Sequence, residues 1–218
     1  MLRFRISFLT SCFFLFVALN ASADNHADTL QRNSLLYNGS EYIKSFNASR
    51  GTPMFPTTDG KGDVNYYGNW YRNLDLQYDI EDDVLVTRDP QGLLKLKLIK
   101  EKLDAFTLDG HLFVKLKILS SRGEFYEQLH KGKRNLMLQW EKKMELDSQE
   151  LPIYVLRKTL FIIQGEKVIP ILRVEDLLDL EPKMARDIKK TLRSKKLSFK
   201  KDAVNTALTV VKLLEEKG

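Results

Sequence analysis

Leu74, Leu76, Tyr78 and Ile80 alternate with Asp75, Gln77 and Asp79. That period of two is the signature of a strand with one face buried and one wet. Leu94, Leu96 and Leu98 alternate with Lys95 and Lys97 in the same way. Val84–Val86 lies between them, and Asp89-Pro90-Gln91-Gly92 turns the chain. Further along, Leu103–Leu108 and His111–Leu116 are joined at Asp109-Gly110, a strong signal for a two-residue hairpin turn. Phe125–His130 and Leu136–Trp140 flank Lys131-Gly132-Lys133, and Gln164-Gly165-Glu166 separates Phe161–Ile163 from Val168–Leu172. Turns at such regular intervals predict an antiparallel meander. Val64–Tyr71 reads as one more strand, rich in aromatics.

The period changes near the end of the chain. Val174–Leu178 reads as a short helix, and Pro182 suits the start of a second in which Met184, Ile188 and Leu192 recur every four residues. After Leu197-Ser198-Phe199, the residues Ala203, Ala207, Val210, Val211 and Leu214 form a final apolar stripe. Neither helix is stable alone in water, so both are expected to dock on the sheet or on each other. The fold class expected is α+β: an antiparallel β-meander, as a rolled sheet or partial barrel with its edges covered, followed by C-terminal helices. The expected division is 1–23 as a leader, 24–34 as a flexible link, 35–173 as the β-rich domain and 174–218 as the helical segment.

The leader suggests where the protein works. Arg3 and Arg5 precede an almost unbroken apolar run from Ile6 to Leu19, and Ala21-Ser22-Ala23 offers a signal-peptidase site. Cleavage before Asp24 is expected, which leaves no transmembrane anchor. The expected address is the periplasm or the outer membrane, ahead of full secretion or lipidation at Cys12. Cys12 follows Leu9-Thr10-Ser11 as in a lipoprotein box, but only six residues separate it from Arg5. With the leader gone, the chain holds no cysteine, hence no disulfide and no thiolate chemistry.

Composition sharpens this in one respect. Asp24 to Leu112 carries 10 Lys/Arg against 14 Asp/Glu, a net of −4, whereas Phe113 to Gly218 carries 23 against 15, a net of +8. The excess concentrates between Lys183 and Lys201, where nine cations face only Asp187. Such a stretch is either a solvated helical face or a surface for an anionic partner, with Lys189, Lys190 and Arg193 as candidates. Nucleic acid is not expected, since no recognition motif accompanies the charge.

The segments Leu36-Tyr37-Asn38-Gly39-Ser40-Glu41-Tyr42, Gly51-Thr52-Pro53-Met54-Phe55 and Gly68-Asn69-Trp70-Tyr71-Arg72-Asn73-Leu74 follow one another in order. Tyr78-Asp79-Ile80, Glu101-Lys102-Leu103-Asp104-Ala105-Phe106 and Gly110-His111-Leu112-Phe113 continue the series. In these pieces the chain resembles a family of exported envelope proteins of Bacteroidota-type bacteria. The resemblance implies location and fold, and brings no activity or cofactor.

Candidate chemistry is sparse. His26, His111 and His130 show no metal-ligand spacing, and no Gly-x-Ser-x-Gly elbow or phosphate-cradling glycine loop occurs. No catalytic, cofactor-binding or metal-ligating residue is assigned. The crowd Asp79, Glu81, Asp82 and Asp83 reads as a solubilising hairpin tip, against a calcium site or a carboxylate pair. The aromatics, with Tyr37, Tyr42, Phe46 and Phe55 upstream, are either core or a binding face for sugar or lipid. Tyr66 and Trp70 are expected on one face of a strand and Tyr67 and Tyr71 on the other, so at least one pair is expected in the core. Tyr66, Trp70, Met54 and Phe55 are the candidates for a binding surface. The function expected is a non-enzymatic binding or assembly module whose partner is an envelope protein, a lipid or a glycan. Two alternatives stand beside it: a carrier holding an amphiphile in a cavity under the helices, and a hydrolase using Asp75, Asp79 or His111.

Overall fold

The computed structural model describes residues 34–45, 48, 50–116 and 124–217. The expected leader with Cys12 and His26, and Phe46, lie outside the described residues. Ten strands form one antiparallel sheet, which remains open, and helices follow it. The expected meander with C-terminal helices is the architecture seen.

The strands are β1 (Lys61–Tyr66), β2 (Asn69–Asp79), β3 (Val84–Arg88), β4 (Lys95–Lys97), β5 (Leu103–Leu108) and β6 (His111–Lys115). β7 (Phe125–His130), β8 (Asn135–Leu146), β9 (Pro152–Gln164) and β10 (Lys167–Ile171) complete the sheet. Their spatial order is β10-β9-β8-β7-β6-β5-β1-β2-β3-β4, so two runs of consecutive hairpins join where β1 pairs with β5. The helices are α1 (Val174–Leu178), α2 (Ala185–Ser194) and α3 (Ala203–Lys217).

The Asp109-Gly110 turn forms as the sequence predicts, with φ of 49° and 81°. Val64–Tyr71 does not form one strand. Tyr67 (φ 51°) and Gly68 (φ 73°) make a tight turn, and Val64 pairs with Tyr71 across it. The expected strand end at Trp140 is also corrected: β8 runs on to Leu146, registered against β9 from Asn135↔Ile163 to Leu146↔Pro152.

The sheet is curled. β2 and β9 are six strand positions apart, which in a flat sheet would be about 29 Å at about 4.8 Å per strand. Yet the Tyr154 hydroxyl on β9 donates to Glu81, just past β2, at 2.9 Å. The backbone of 50–55 ties the two regions together. The Tyr154 N–H donates to the Arg50 carbonyl at 3.0 Å, the Phe55 N–H to Tyr78 O at 2.7 Å, and the Ile80 N–H to Pro53 O at 3.1 Å.

Two cores fill the concavity. In the first, Tyr78 of β2 meets Phe106 of β5 at 5.1 Å between ring centroids and Phe113 of β6 at 5.3 Å, with Val64, Tyr66 and Phe125 around them. In the second, Leu136, Leu138, Leu160 and Ile162 of β8 and β9 pack against Leu177, Ile188, Val210, Val211 and Leu214 of the helices. Burying these stripes against the sheet supplies the stability that short helices lack alone. Trp140 of β8 touches both cores and sits at their seam.

Candidate functional site

The aromatic candidates do not form a surface. Tyr66 is fully buried (0 % exposed); its hydroxyl donates to Asn38 Oδ1 at 3.0 Å and accepts from the Ile99 N–H at 3.0 Å. Burial holds its phenol above the usual range. Trp70 is 44 % exposed, with the Arg72 guanidinium 4.9 Å from its ring. The expectation that Tyr66 and Trp70 share a face fails because the turn at Tyr67-Gly68 lies between them. Trp70 pairs with Asn65, not with Tyr66.

Phe55 is likewise corrected from surface to core. It is 3 % exposed and wedges edge-on against Trp140 (4.8 Å), Phe113 (5.2 Å) and His111 (5.3 Å). Met54, half-buried, serves through its backbone: it bridges to Asp79, and its carbonyl accepts from Lys142, which also donates to Thr52 O at 3.0 Å. Burial lowers the Lys142 pKa from its ordinary value.

The acidic turn is a solubilising tip only in part: Glu81 and Asp82 are exposed, whereas Asp79 and Asp83 are buried. Asp79 is 0 % exposed and accepts from the Tyr42 hydroxyl (2.8 Å), Lys44 Nζ (2.8 Å) and the backbone N–H groups of Glu81 (3.0 Å) and Asp82 (3.1 Å). Burial opposes the Lys44 charge, but its bonds to Asp79, Asp82 and Glu81 outweigh that and raise its pKa. Asp83, also buried, accepts from the Tyr78 hydroxyl (2.6 Å) and the Glu124 N–H (2.7 Å) and pairs with Lys100. Burial first, and then the Asp83 charge, push the Tyr78 phenol well above its ordinary value. These carboxylates fasten segments together. Among the described residues, no group of three or more His, Cys, Asp or Glu is placed to hold a metal ion.

One polar constellation has no sequence marker. Glu127 of β7, 6 % exposed, accepts from Trp140 Nε1 at 2.7 Å through one oxygen and meets His111 Nδ1 at 2.6 Å through the other. A carboxylate orienting a histidine is part of a hydrolytic site. Asp75 and Asp79 are engaged elsewhere, however: Asp75 pairs with Lys61, and Asp79 holds Tyr42 and Lys44. The three residues considered for hydrolysis therefore keep separate partners.

The helical layer carries a different surface. Ile188 and Leu192 face the core, which leaves Lys189, Lys190 and Arg193 exposed on α2. The helix ends with Lys196 in the left-handed region (φ 54°), while the Leu197 N–H returns to Leu192 O at 2.9 Å. This Schellman-type cap turns Leu197 back toward Leu192. An open groove of about 560 Å³ results, lined by Leu172, Val174, Leu192, Leu197 and Phe199, with Arg173, Glu175 and Lys200 as its charged members. Leu172 is 70 % exposed there. Among the described residues, none of the nine cations from Lys183 to Lys201 forms an ion pair, and Asp187 pairs with Lys217 instead.

Compared against protein-family profiles, curated proteins and solved structures, the chain matches none. No helix among the described residues is long and apolar enough to cross a membrane.

Proposed function

We propose that this protein is a non-enzymatic binding or assembly module of the bacterial cell envelope that engages an anionic partner through the basic surface of its helical layer. The carrying observation is the set of nine exposed cations between Lys183 and Lys201, none of them within ion-pair distance of a carboxylate among the described residues. Like charges at that density repel one another and are not required by the core, which Ile188 and Leu192 serve. An anionic partner removes the repulsion. The signal-like leader and the resemblance to exported envelope proteins support the location. In this reading the curled, incompletely closed sheet is a rigid platform that presents the helices.

Nothing in the helix–sheet contact favours a carrier. Leu136, Leu138, Leu160 and Ile162 meet Leu177, Ile188, Val210 and Val211 as packed, buried side chains where that reading places a ligand. The test is the triple replacement Lys189→Glu, Lys190→Glu and Arg193→Glu, assayed against anionic vesicles, an acidic polysaccharide and an acidic protein. Loss of binding to at least one of them is expected. No binding by the unmodified protein to any of the three, or binding untouched by the replacement, defeats the reading. For location, cell fractionation with intact-mass measurement is expected to find a processed chain in the envelope, and an unprocessed chain in the cytosol contradicts it.

A further inference from the structure

We infer that the groove between the end of β10 and the α2–α3 connection seats the protein on an anionic phospholipid surface. Leu172 enters the acyl boundary, and the surrounding cations meet the headgroups. This rests on the anionic-partner reading above and names the partner.

Two observations converge. The first is that apolar exposure and positive charge coincide at one place. Leu172 is largely exposed, and its neighbour Arg173 is as exposed although paired with Asp176. Val174, Leu197 and Phe199 continue the apolar wall toward Lys200, with Glu175 as the one anion of the lining. Leu192 of that wall belongs to α2, whose outer face carries Lys189, Lys190 and Arg193. Apolar side chains beside a cation-rich helix are the composition of an interfacial anchor, since the two terms act together at a headgroup layer.

The second observation concerns the kind of cation. Seven of the nine between Lys183 and Lys201 are lysines, and only Arg186 and Arg193 are arginines. Protein–protein interfaces favour arginine, whose planar fork pairs bidentately with fixed carboxylates, and are depleted in lysine. Lysine is a hydrated point charge on a flexible stem. It suits a fluid layer of phosphates whose positions are not fixed. A phospholipid surface therefore fits better than a folded acidic protein.

The experiment is flotation of the purified protein with vesicles of phosphatidylglycerol and phosphatidylcholine in equal parts, and with phosphatidylcholine alone. Binding to the first and not the second is expected, weakening as salt rises. The charge reversal at Lys189, Lys190 and Arg193 should lower partitioning at least 100-fold, from about fivefold per cation. Leu172→Asn should lower it by about tenfold while leaving the fold intact, because the side chain is already in water.

A fluorophore at Leu172→Cys, in a Cys12→Ser background, reports insertion directly. Its emission should shift to the blue on the anionic vesicles. Flotation without that shift, or undiminished by Leu172→Asn, overturns the groove. Failure to float on anionic vesicles, with charge-dependent binding to the acidic polysaccharide or protein, overturns the lipid assignment and leaves the anionic-partner reading standing. Failure of all three surfaces removes both.

Discussion

Replacing Asp79 by alanine tests whether the acidic turn fastens the fold or merely solubilises it. The carboxylate is fully buried and accepts four hydrogen bonds, two of them from Tyr42 and Lys44. Removing one partner of a buried ion pair costs about 3–5 kcal/mol, because the other charge is left without compensation. Lys44 moderates this: its side chain is 17 % exposed, and it also contacts Glu81 at 2.9 Å and Asp82 at 2.8 Å. The lower end applies, about 3 kcal/mol. With a urea slope near 3 kcal/mol per molar, the midpoint should fall by about 1 M. Asp82→Ala is the internal control. Its side chain is 53 % exposed, and an ion pair at such a place contributes about 0.5 kcal/mol. The assay is urea unfolding followed by far-ultraviolet circular dichroism on both variants. An Asp79→Ala protein within 1 kcal/mol of the parent, or an Asp82→Ala protein equally weakened, would refute the reasoning.

Two further outcomes follow from the same geometry. Phe55→Ala should cost about 3–5 kcal/mol, as for other large aromatics removed from a core, whereas Trp70→Ala should stay within about 0.5 kcal/mol; thermal unfolding of the pair checks this, and the reverse order contradicts the assignment. The Tyr126 phenol is pushed up to about 12, by burial and then by the Asp83 charge. A neutral group with a raised folded pKa contributes stability that is complete below its unfolded value near 10 and is lost as pH rises through about 12. Phenolate absorbance should therefore show a late-ionising class of tyrosines that titrates together with loss of the fold, and uniform ionisation near pH 10 in an intact fold disproves it.

What the sequence displays is local. Asp109-Gly110 was legible because both residues tolerate the positive φ that a two-residue hairpin turn demands. Tyr67-Gly68 makes the same kind of turn, but tyrosine is unusual at φ 51°, so the two aromatic pairs on either side of Gly68-Asn69 read as a continuous strand. The outer half of β8, Glu141 to Leu146, mixes charge and apolar residues without a clean period. Its strand state comes from pairing with β9, and pairing has no local signature. The candidate site divides along the same line. Lys189, Lys190 and Arg193 were legible as exposed, because helical spacing assigns Ile188 and Leu192 to the core. Phe55 was not: its burial depends on Phe113 and Trp140, which only the curl of the sheet brings to it. Glu127 was invisible because its partners lie on the two neighbouring strands, and strand pairing has no local signature.

The opposed charges of the two halves acquire a physical meaning once each group's partner is known. In the acidic half, Asp79 holds Tyr42 and Lys44, Asp83 holds Tyr78, Glu124 and Lys100, and Asp63 accepts from the Asn73 N–H at 2.9 Å and pairs with Arg72. Those carboxylates act inside the fold, tying 41–45 to the β2–β3 turn and that turn to β7. A cut-off surface charge would do none of this, because exposed pairs contribute little. Among the described residues, the cations from Lys183 to Lys201 have no such employment: the helix is held by its buried stripe and its terminal cap. Sequence counts alone treat the two excesses as equivalent and opposite. Burial separates them, because a charge satisfied within the fold is hidden from a partner, while a charge left in water keeps its field available for one. The basic end of the chain is therefore where recognition is expected, and the acidic end is where the scaffold is fastened.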